Sequence, residues 1–432
     1  MQLTDLVVKE TAGLTGTVNA PSSKALTHRA LIAASLSDGR SKIKDPLICD
    51  DTLATIDACR MMGAEISRSG NAAPEVQGRS KPLTPSDVIN CRDSAATMRF
   101  IAPVSTLADG ITVLTGGESL RRRPMEPLLQ ALRQLGVQCY STKSDGCPPL
   151  VVFGGGIEGG RASIRGDISS QFISGLLFAL PIARADTNIV LSMPLESKPY
   201  VDMTLNILVK HEVNVDVKHD YGEFRVPCGQ RYMPFDHTIE GDYSSAAFLM
   251  AAAVATSSHV KIENLSENSL QGDRLIVSVL EKMGVQITVG RDFVEVQGAR
   301  SLKAVDIDLR DTPDLIPVCT VFGCLARGKS LIRGVRRLRF KESDRTAGLV
   351  SELGKLGADV KTVNDVIIVN GGKKLRGAEL DSHGDHRIAM ACAVAALKAE
   401  GTTVLHGIEC INKSYPDFVR DMISVGGRMV ER

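Results

Sequence analysis

Charge of one sign is what this sequence most plainly lacks. Its 51 Lys and Arg stand against 50 Asp and Glu, a formal net charge of +1. No global field therefore advertises nucleic acid or a membrane as a partner, and any anion recognition must come from local clusters. The ten cysteines contain no C-x-x-C pair and no disulfide or zinc spacing. They read as reduced small hydrophobes. The most apolar stretch, Ala246–Ala255, falls far short of a membrane span. Met1-Gln2-Leu3-Thr4-Asp5 lacks the basic and apolar regions of a secretory leader. These absences lead to the expectation of a soluble, cytoplasmic protein.

At 432 residues, with 43% hydrophobic and 23% charged residues, the chain is an ordinary globular one built as two domains or three. Six segments carry a small polar cap followed by an apolar helix. They are Pro21-Ser22-Ser23-Lys24, Asp93-Ser94-Ala95-Ala96, Asp167-Ile168-Ser169-Ser170, Asp242-Tyr243-Ser244-Ser245, Asp311-Thr312-Pro313-Asp314 and Asp385-His386-Arg387-Ile388. Their starts are 72, 74, 75, 69 and 74 residues apart, so the chain repeats one unit six times. Asp or Ser at these positions can accept hydrogen bonds from the first helical turn.

A second helical series recurs with nearly the same period. Leu53–Ile66, Leu128–Cys139, Leu275–Ile287 and Leu349–Val360 read as amphipathic helices closed by Gly and followed by a strand. Leu205–Val215 and Phe418–Met429 are weaker copies, the first with Glu212 where the others have Gly. Each unit thus predicts strand, capped apolar helix, strand, loop, amphipathic helix, strand. The capped helices are apolar on nearly every face and must be buried all round. Three of them at the centre of each domain would satisfy this; a solenoid of six units is the alternative.

Each unit also carries a polar loop before its second helix: Cys49–Thr52, Arg121–Pro124, Ser197–Tyr200, Asn268–Asp273, Lys341–Arg345 and Lys413–Asp417. Equivalent positions of a repeat fall on one side of the architecture. Loops and helix N-termini together would offer N–H groups, positive dipole ends and Lys or Arg side chains, a set suited to phosphates and carboxylates. Taken singly, Lys341–Arg345 is a solvated charge run, Arg121–Arg123 a surface patch and Asp385-His386-Arg387 a helix cap. The shared register favours a site.

At these residues the sequence resembles the EPSP synthase family of enolpyruvyl transferases. The resemblance rests on Pro21–Lys24 with Arg29, Arg123-Pro124, Ser169–Phe172, Ser197–Tyr200, Glu240-Gly241-Asp242, Pro313-Asp314, Lys341–Arg345, Asp385–Arg387 and Lys413 with Pro416-Asp417, and it covers essentially the whole chain. It implies an α/β fold of two similar domains, each of three βαβαββ repeats with buried central helices, an inside-out α/β barrel. The domains would be 20–236 and 1–19 with 237–432, closing on substrate. The implied reaction transfers the enolpyruvyl group of phosphoenolpyruvate to the 5-hydroxyl of shikimate 3-phosphate and releases phosphate.

The resemblance also implies roles for the matching positions. Asp314 and Glu342 would be the proton-transfer pair, with Lys24 touching both substrates. Lys24, Arg29, Ser169, Ser170, Gln171, Ser197, Asp314 and Lys341 would hold shikimate 3-phosphate. Lys24, Ala95, Arg123, Gln171, Arg345, Arg387 and Lys413 would meet phosphoenolpyruvate. No cofactor and no metal is called for. The implied partners are the two small-molecule substrates, without nucleic acid or membrane, and the implied state is a monomer.

Three positions depart from the family pattern: Ala25 where a Ser often stands, Asp93–Arg99 in place of an Asn-x-Gly-Thr segment, and Arg337 where some members have Asn. The sister enzyme acting on UDP-N-acetylglucosamine carries a reactive Cys in the loop corresponding to Gly116–Arg123, which has none here. A non-catalytic anion-binding scaffold is the reading from another class. Ala95 replaces a usual Gly and implies tolerance of the herbicide glyphosate; the bland account is helix propensity alone.

Overall fold

Five of the six polar segments start helices as their side chains dictate. The computed structural model describes residues 4–67 and 73–432, which leaves out Met1–Leu3 of the N-terminal segment. Ser23, Ser94, Ser169, Asp242 and Asp385 occupy N-caps, each side-chain oxygen accepting from a first-turn N–H. They open the helices Lys24–Ser35, Ala95–Ser105, Ser170–Ala179, Tyr243–Ala255 and His386–Ala396. The remaining helix, Ile316–Leu325, differs. A 3-10 turn, Pro313–Leu315, precedes it, and no side chain caps it. Pro313 and Pro317 fix φ and have no N–H to satisfy, so this start needs no cap. The Asp314 carboxylate is turned to cations instead.

These helices are buried as an all-apolar surface requires. Every residue of Tyr243–Ala255 and His386–Ala396 is buried. Phe248 and Phe322 are 0% exposed, and complete burial of a side chain of this size is worth about 1.5–3 kcal/mol. Tyr243–Ala255, Ile316–Leu325 and His386–Ala396 each pack against the other two. A linear stack would keep the first and third apart, so the solenoid reading falls. Among residues 23–239, Ala95–Ser105 touches both Lys24–Ser35 and Ser170–Ala179.

The amphipathic series forms Asp50–Met61, Glu126–Gln134, Lys198–Lys210, Leu275–Lys282, Arg345–Lys355 and Phe418–Ser424. Gly63, Gly136, Gly284, Gly357 and Gly426 follow them with φ between 86° and 104°, the left-handed exit that glycine permits. Glu212, in the odd copy, takes the same exit at φ 60°, despite its Cβ.

The chain divides into two compact units, Ser23–Ile239 and Met1–Ser22 with Glu240–Arg432. Among the described residues each holds three four-stranded sheets of one pattern: a parallel pair extended by two strands in antiparallel pairing. In the first unit the parallel pairs are His237–Thr238 with Gly39–Lys44, Ile89–Asn90 with Ile111–Thr115, and Gly160–Arg165 with Thr187–Met193. In the second they are Thr15–Asn19 with His259–Glu263, Asp306–Asp308 with Lys329–Arg333, and Glu379–Asp381 with Thr402–His406. No sheet closes into a barrel among the described residues.

Two pairs are formed by exchange. Thr15–Asn19 runs on into Lys24–Ser35 of the first unit but pairs in the second, whereas His237–Thr238 precedes Tyr243–Ala255 of the second and pairs in the first. The last sheet is completed by Leu6–Lys9, with Val7 opposite Val404 and Val430. All ten cysteines are thiols. No helix among the described residues is long and apolar enough to cross a membrane.

Candidate active site

In the unit containing residues 240–432, three carboxylates converge on one guanidinium. Arg345 opens the helix Arg345–Lys355, capped by Asp344, whose carboxylate accepts from Ala347 N. Its side chain is 2% exposed. Nε donates to Asp385 Oδ2 at 2.7 Å, Nη1 to Asp314 Oδ1 at 3.0 Å and Nη2 to Glu342 Oε2 at 2.6 Å. Each carboxylate comes from a different repeat or loop: Asp314 from the 3-10 turn, Glu342 from the loop before the helix, Asp385 from the next central helix's N-cap. Asp385 is fully buried and also accepts from Arg387 N at 2.9 Å. One residue thus caps a helix and anchors the hub.

Asp314 is shared among cations. Arg387 Nη2 lies 3.3 Å from Oδ2, Lys341 Nζ lies 3.6 Å from Oδ1, and Arg387 Nη1 donates to the Asp314 carbonyl at 3.2 Å. Burial alone would raise this carboxyl; Arg387, Lys341 and Arg345 outweigh it and hold Asp314 well below the usual range. Burial likewise acts against the Arg345 charge, and Asp385, Glu342 and Asp314 more than offset it. Lys341 keeps 31% of its side chain exposed. Desolvation lowers its ammonium to about 8, against the pull of Asp314. Lys413 ends the 3-10 turn Ile408–Lys413 of the same unit, half-buried.

Behind Asp314 and Arg387 lies a carboxyl that the motif reading missed. Asp273 is buried, accepts from the Ser244 hydroxyl, and is raised to about 7 by burial first and Asp314 second. Its position in the Asn268–Asp273 loop was the only sequence signal.

The unit 23–239 carries the other expected residues. Lys24 Nζ meets Asp51 Oδ2 at 2.8 Å, an ion pair joining the first turns of two helices. Arg29 is 2% exposed. It donates to Thr204 Oγ1 at 2.8 Å, the Tyr200 carbonyl at 2.8 Å and the Ala25 carbonyl at 2.9 Å, and lies 5.2 Å from the Phe100 ring centroid. Burial lowers it to about 10. The guanidinium expected to face a ligand is therefore also the brace between Lys24–Ser35 and Lys198–Lys210.

Ser197 sits before the helix Lys198–Lys210 at φ 62°, without using its side chain as a cap. A non-glycine residue held there stores strain, a feature that concentrates at working sites. Arg123 is 4% exposed and donates to Ser119 Oγ at 3.2 Å. Ala95, 7% exposed, begins a helix whose Ser94 cap is tied to His28 through Thr97 and Thr55. Burial lowers His28 to about 3, so this chain of hydrogen bonds is neutral. Ser169, Ser170 and Gln171 start the neighbouring central helix, and Arg99 reaches across to two of them: Nη1 donates to Gln171 Oε1 at 2.9 Å and Ser169 Oγ at 3.2 Å.

Known proteins match this chain over nearly its whole length. The model of the EPSP synthase (3-phosphoshikimate 1-carboxyvinyltransferase) family matches residues 8–422. The 3-phosphoshikimate 1-carboxyvinyltransferase of Methanocaldococcus jannaschii is 45% identical over 425 residues, covering 98% of this chain and 99% of its own. That of Methanothermobacter thermautotrophicus is 44% identical over 426 residues, with 98% and 99% covered. Among solved structures, an EPSP synthase from Acinetobacter baumannii matches with a TM-score of 0.85 at 26% identity, covering 100% of both chains.

Proposed function

The chain belongs to the EPSP synthase family, and we propose on that premise that Asp314 and Glu342 are the proton-transfer pair of its reaction. That reaction moves the enolpyruvyl group of phosphoenolpyruvate to the 5-hydroxyl of shikimate 3-phosphate. The observation that carries the reading is the shared Arg345 guanidinium, which holds both carboxylates within hydrogen-bond reach. The 5-hydroxyl must lose a proton as it attacks C2, and C3 must gain one. Asp314 takes the first and Glu342 delivers the second. Glu342, now a carboxylate, takes a proton back from C3 as phosphate leaves the tetrahedral adduct, restoring the double bond, and the phosphate charge is met by preorganised cations.

A carboxylate held as low as Asp314 is a weak base. Arrival of anionic substrate at Lys341 and Arg387 neutralises the charges that lower it, so binding raises Asp314 toward its ordinary value. Base strength thus develops only with substrate present. Lys24, Arg29, Ser169, Ser170, Gln171, Ser197 and Lys341 hold shikimate 3-phosphate. Arg123, Arg345, Arg387 and Lys413 grip phosphoenolpyruvate, beside Ala95. The protein acts as a monomer, in the cytoplasm. A phosphate-release assay with both substrates tests the activity; no release above background would refute it.

Two further outcomes follow. Lys341 is cationic below about 8, so kcat/KM for shikimate 3-phosphate, which reports the unliganded enzyme, should fall as pH rises through that value. A flat profile from pH 7 to 9.5 would remove Lys341 from the phosphate site. Ala95 projects a Cβ where most of the family has Gly, and glyphosate is longer than phosphoenolpyruvate. The wild-type enzyme should tolerate glyphosate, and Ala95→Gly should lower its inhibition constant, by relief of steric exclusion. Equal constants for the two forms would leave only helix propensity.

A further inference from the structure

We infer that Arg99 is a positioning and specificity-determining residue: it turns Ser169 and Gln171 into pure hydrogen-bond donors, so that their surface accepts a fully ionised phosphate and resists other groups. The inference rests on the placement of shikimate 3-phosphate at Ser169–Gln171 proposed above.

The argument is one of hydrogen-bond bookkeeping. A guanidinium has donors only. The Gln171 atom 2.9 Å from Arg99 Nη1 must therefore be the carbonyl Oε1, and the Gln171 NH2 group is turned away with both hydrogens to give. Ser169 Oγ accepts from Arg99 Nη1 at 3.2 Å and from Gln171 backbone N at 3.3 Å. Both partners are donors, so both lone pairs of that oxygen are spent and its hydrogen must be given elsewhere. Without Arg99, either side chain could rotate to offer an oxygen. With it, both face outward as donors.

Packing fixes this arrangement. Ala95–Ser105 and Ser170–Ala179 approach so closely that a Cβ at Gly175 would collide with the Arg99 carbonyl oxygen. The guanidinium carbon lies 5.0 Å from the Phe172 ring centroid, which pins its plane. Ser169 and Ser170 are 8% and 4% exposed, so any acceptor presented there to an anion would be poorly screened. A phosphate monoester dianion has only acceptors and fits this surface. The unphosphorylated alcohol cannot fill it, and leaving buried donors unpaired is what makes such sites selective.

The test is calorimetric titration with shikimate 3-phosphate and with shikimate, using Arg99→Met, Arg99→Lys, Ser169→Ala/Gln171→Ala and the triple variant. Arg99→Met should weaken shikimate 3-phosphate by about 10- to 100-fold, the scale of a lost charge-assisted network, with little change for shikimate. In the Ser169→Ala/Gln171→Ala background the same change should cost almost nothing more, because Arg99 acts through those two side chains. Both bonds come from one nitrogen, so Arg99→Lys, still cationic but without the planar group held over Phe172, should recover part of the loss. Additive losses, or equal weakening of both ligands, would overturn the inference, as would unchanged affinity in Arg99→Met. If Ser169→Ala/Gln171→Ala itself leaves shikimate 3-phosphate affinity intact, the placement of the ligand fails instead, and the inference with it.

Discussion

Asp314→Asn and Glu342→Gln are each expected to lower kcat by roughly a hundred- to ten-thousandfold, the range over which a positioned acid or base contributes. Both substitutions keep the shape of the side chain and one oxygen for Arg345, so loss of turnover would not be loss of the hub. The two should differ in KM. Asp314 lies against Arg387 and Lys341 as well as Arg345. Removing its charge leaves those cations more available to anionic substrate, and substrate binding should tighten as turnover falls. Glu342 meets Arg345 Nη2 at 2.6 Å, and the Gln amide keeps an oxygen for that bond, so Glu342→Gln should move kcat with little change in KM. Steady-state kinetics on both variants decides it: near-normal turnover in either would remove that residue from the chemistry.

The second large effect concerns stability. Arg345→Leu should cost about 3–5 kcal/mol, because it strands buried carboxylates without compensation. Asp385 is the worst placed, with no exposed side-chain surface, and its remaining partners are the Ser343 hydroxyl at 3.3 Å and its own helix. The sign with pH follows from the carboxylates. Asp314 is held low in the folded state, so its stabilisation is present above the unfolded carboxyl value and is lost as pH falls through the folded one. Arg387 and Lys341 lower Asp314 more than Arg345 does, but in Arg345→Leu part of the lowering disappears, and the variant should lose somewhat less stability on acidification than the wild type. Urea unfolding at pH 7 and at about pH 3, below the ordinary carboxyl value of 3.8, measures both. Parallel losses in the two proteins would contradict the account.

Local features were the legible ones. Ser23, Ser94, Ser169, Asp242 and Asp385 cap helices because a side-chain oxygen next to its own backbone needs no distant partner. The Asp314 segment repeats the spacing yet forms a 3-10 turn, since its prolines alter the local rule. The glycine exits could be read for the same reason, and even the Glu212 copy kept its backbone. What stayed hidden depends on long-range pairing. Nothing near Thr15–Asn19 or His237–Thr238 says that each strand serves the unit the chain is leaving. The role of Arg345 as a hub needs residues 314, 342 and 385 brought together. Arg99 stood within a segment already noted as unusual, but which neighbour its side chain would meet is a matter of helix packing at Gly175.

The exchanged strands also set an order of events on the ribosome. Unit 23–239 finds all its partners within one continuous stretch, and it can fold as soon as His237–Thr238 has emerged. Leu6–Lys9 is synthesised long before Thr402–His406 and Met429–Glu431, the strands with which it pairs. At about 5–20 residues per second, that strand waits some tens of seconds for its sheet. Throughout that interval Leu6, Val7 and Val8, buried in the finished protein, are exposed on a nascent chain. A holdase chaperone would find this apolar strand unpaired for the whole of that interval.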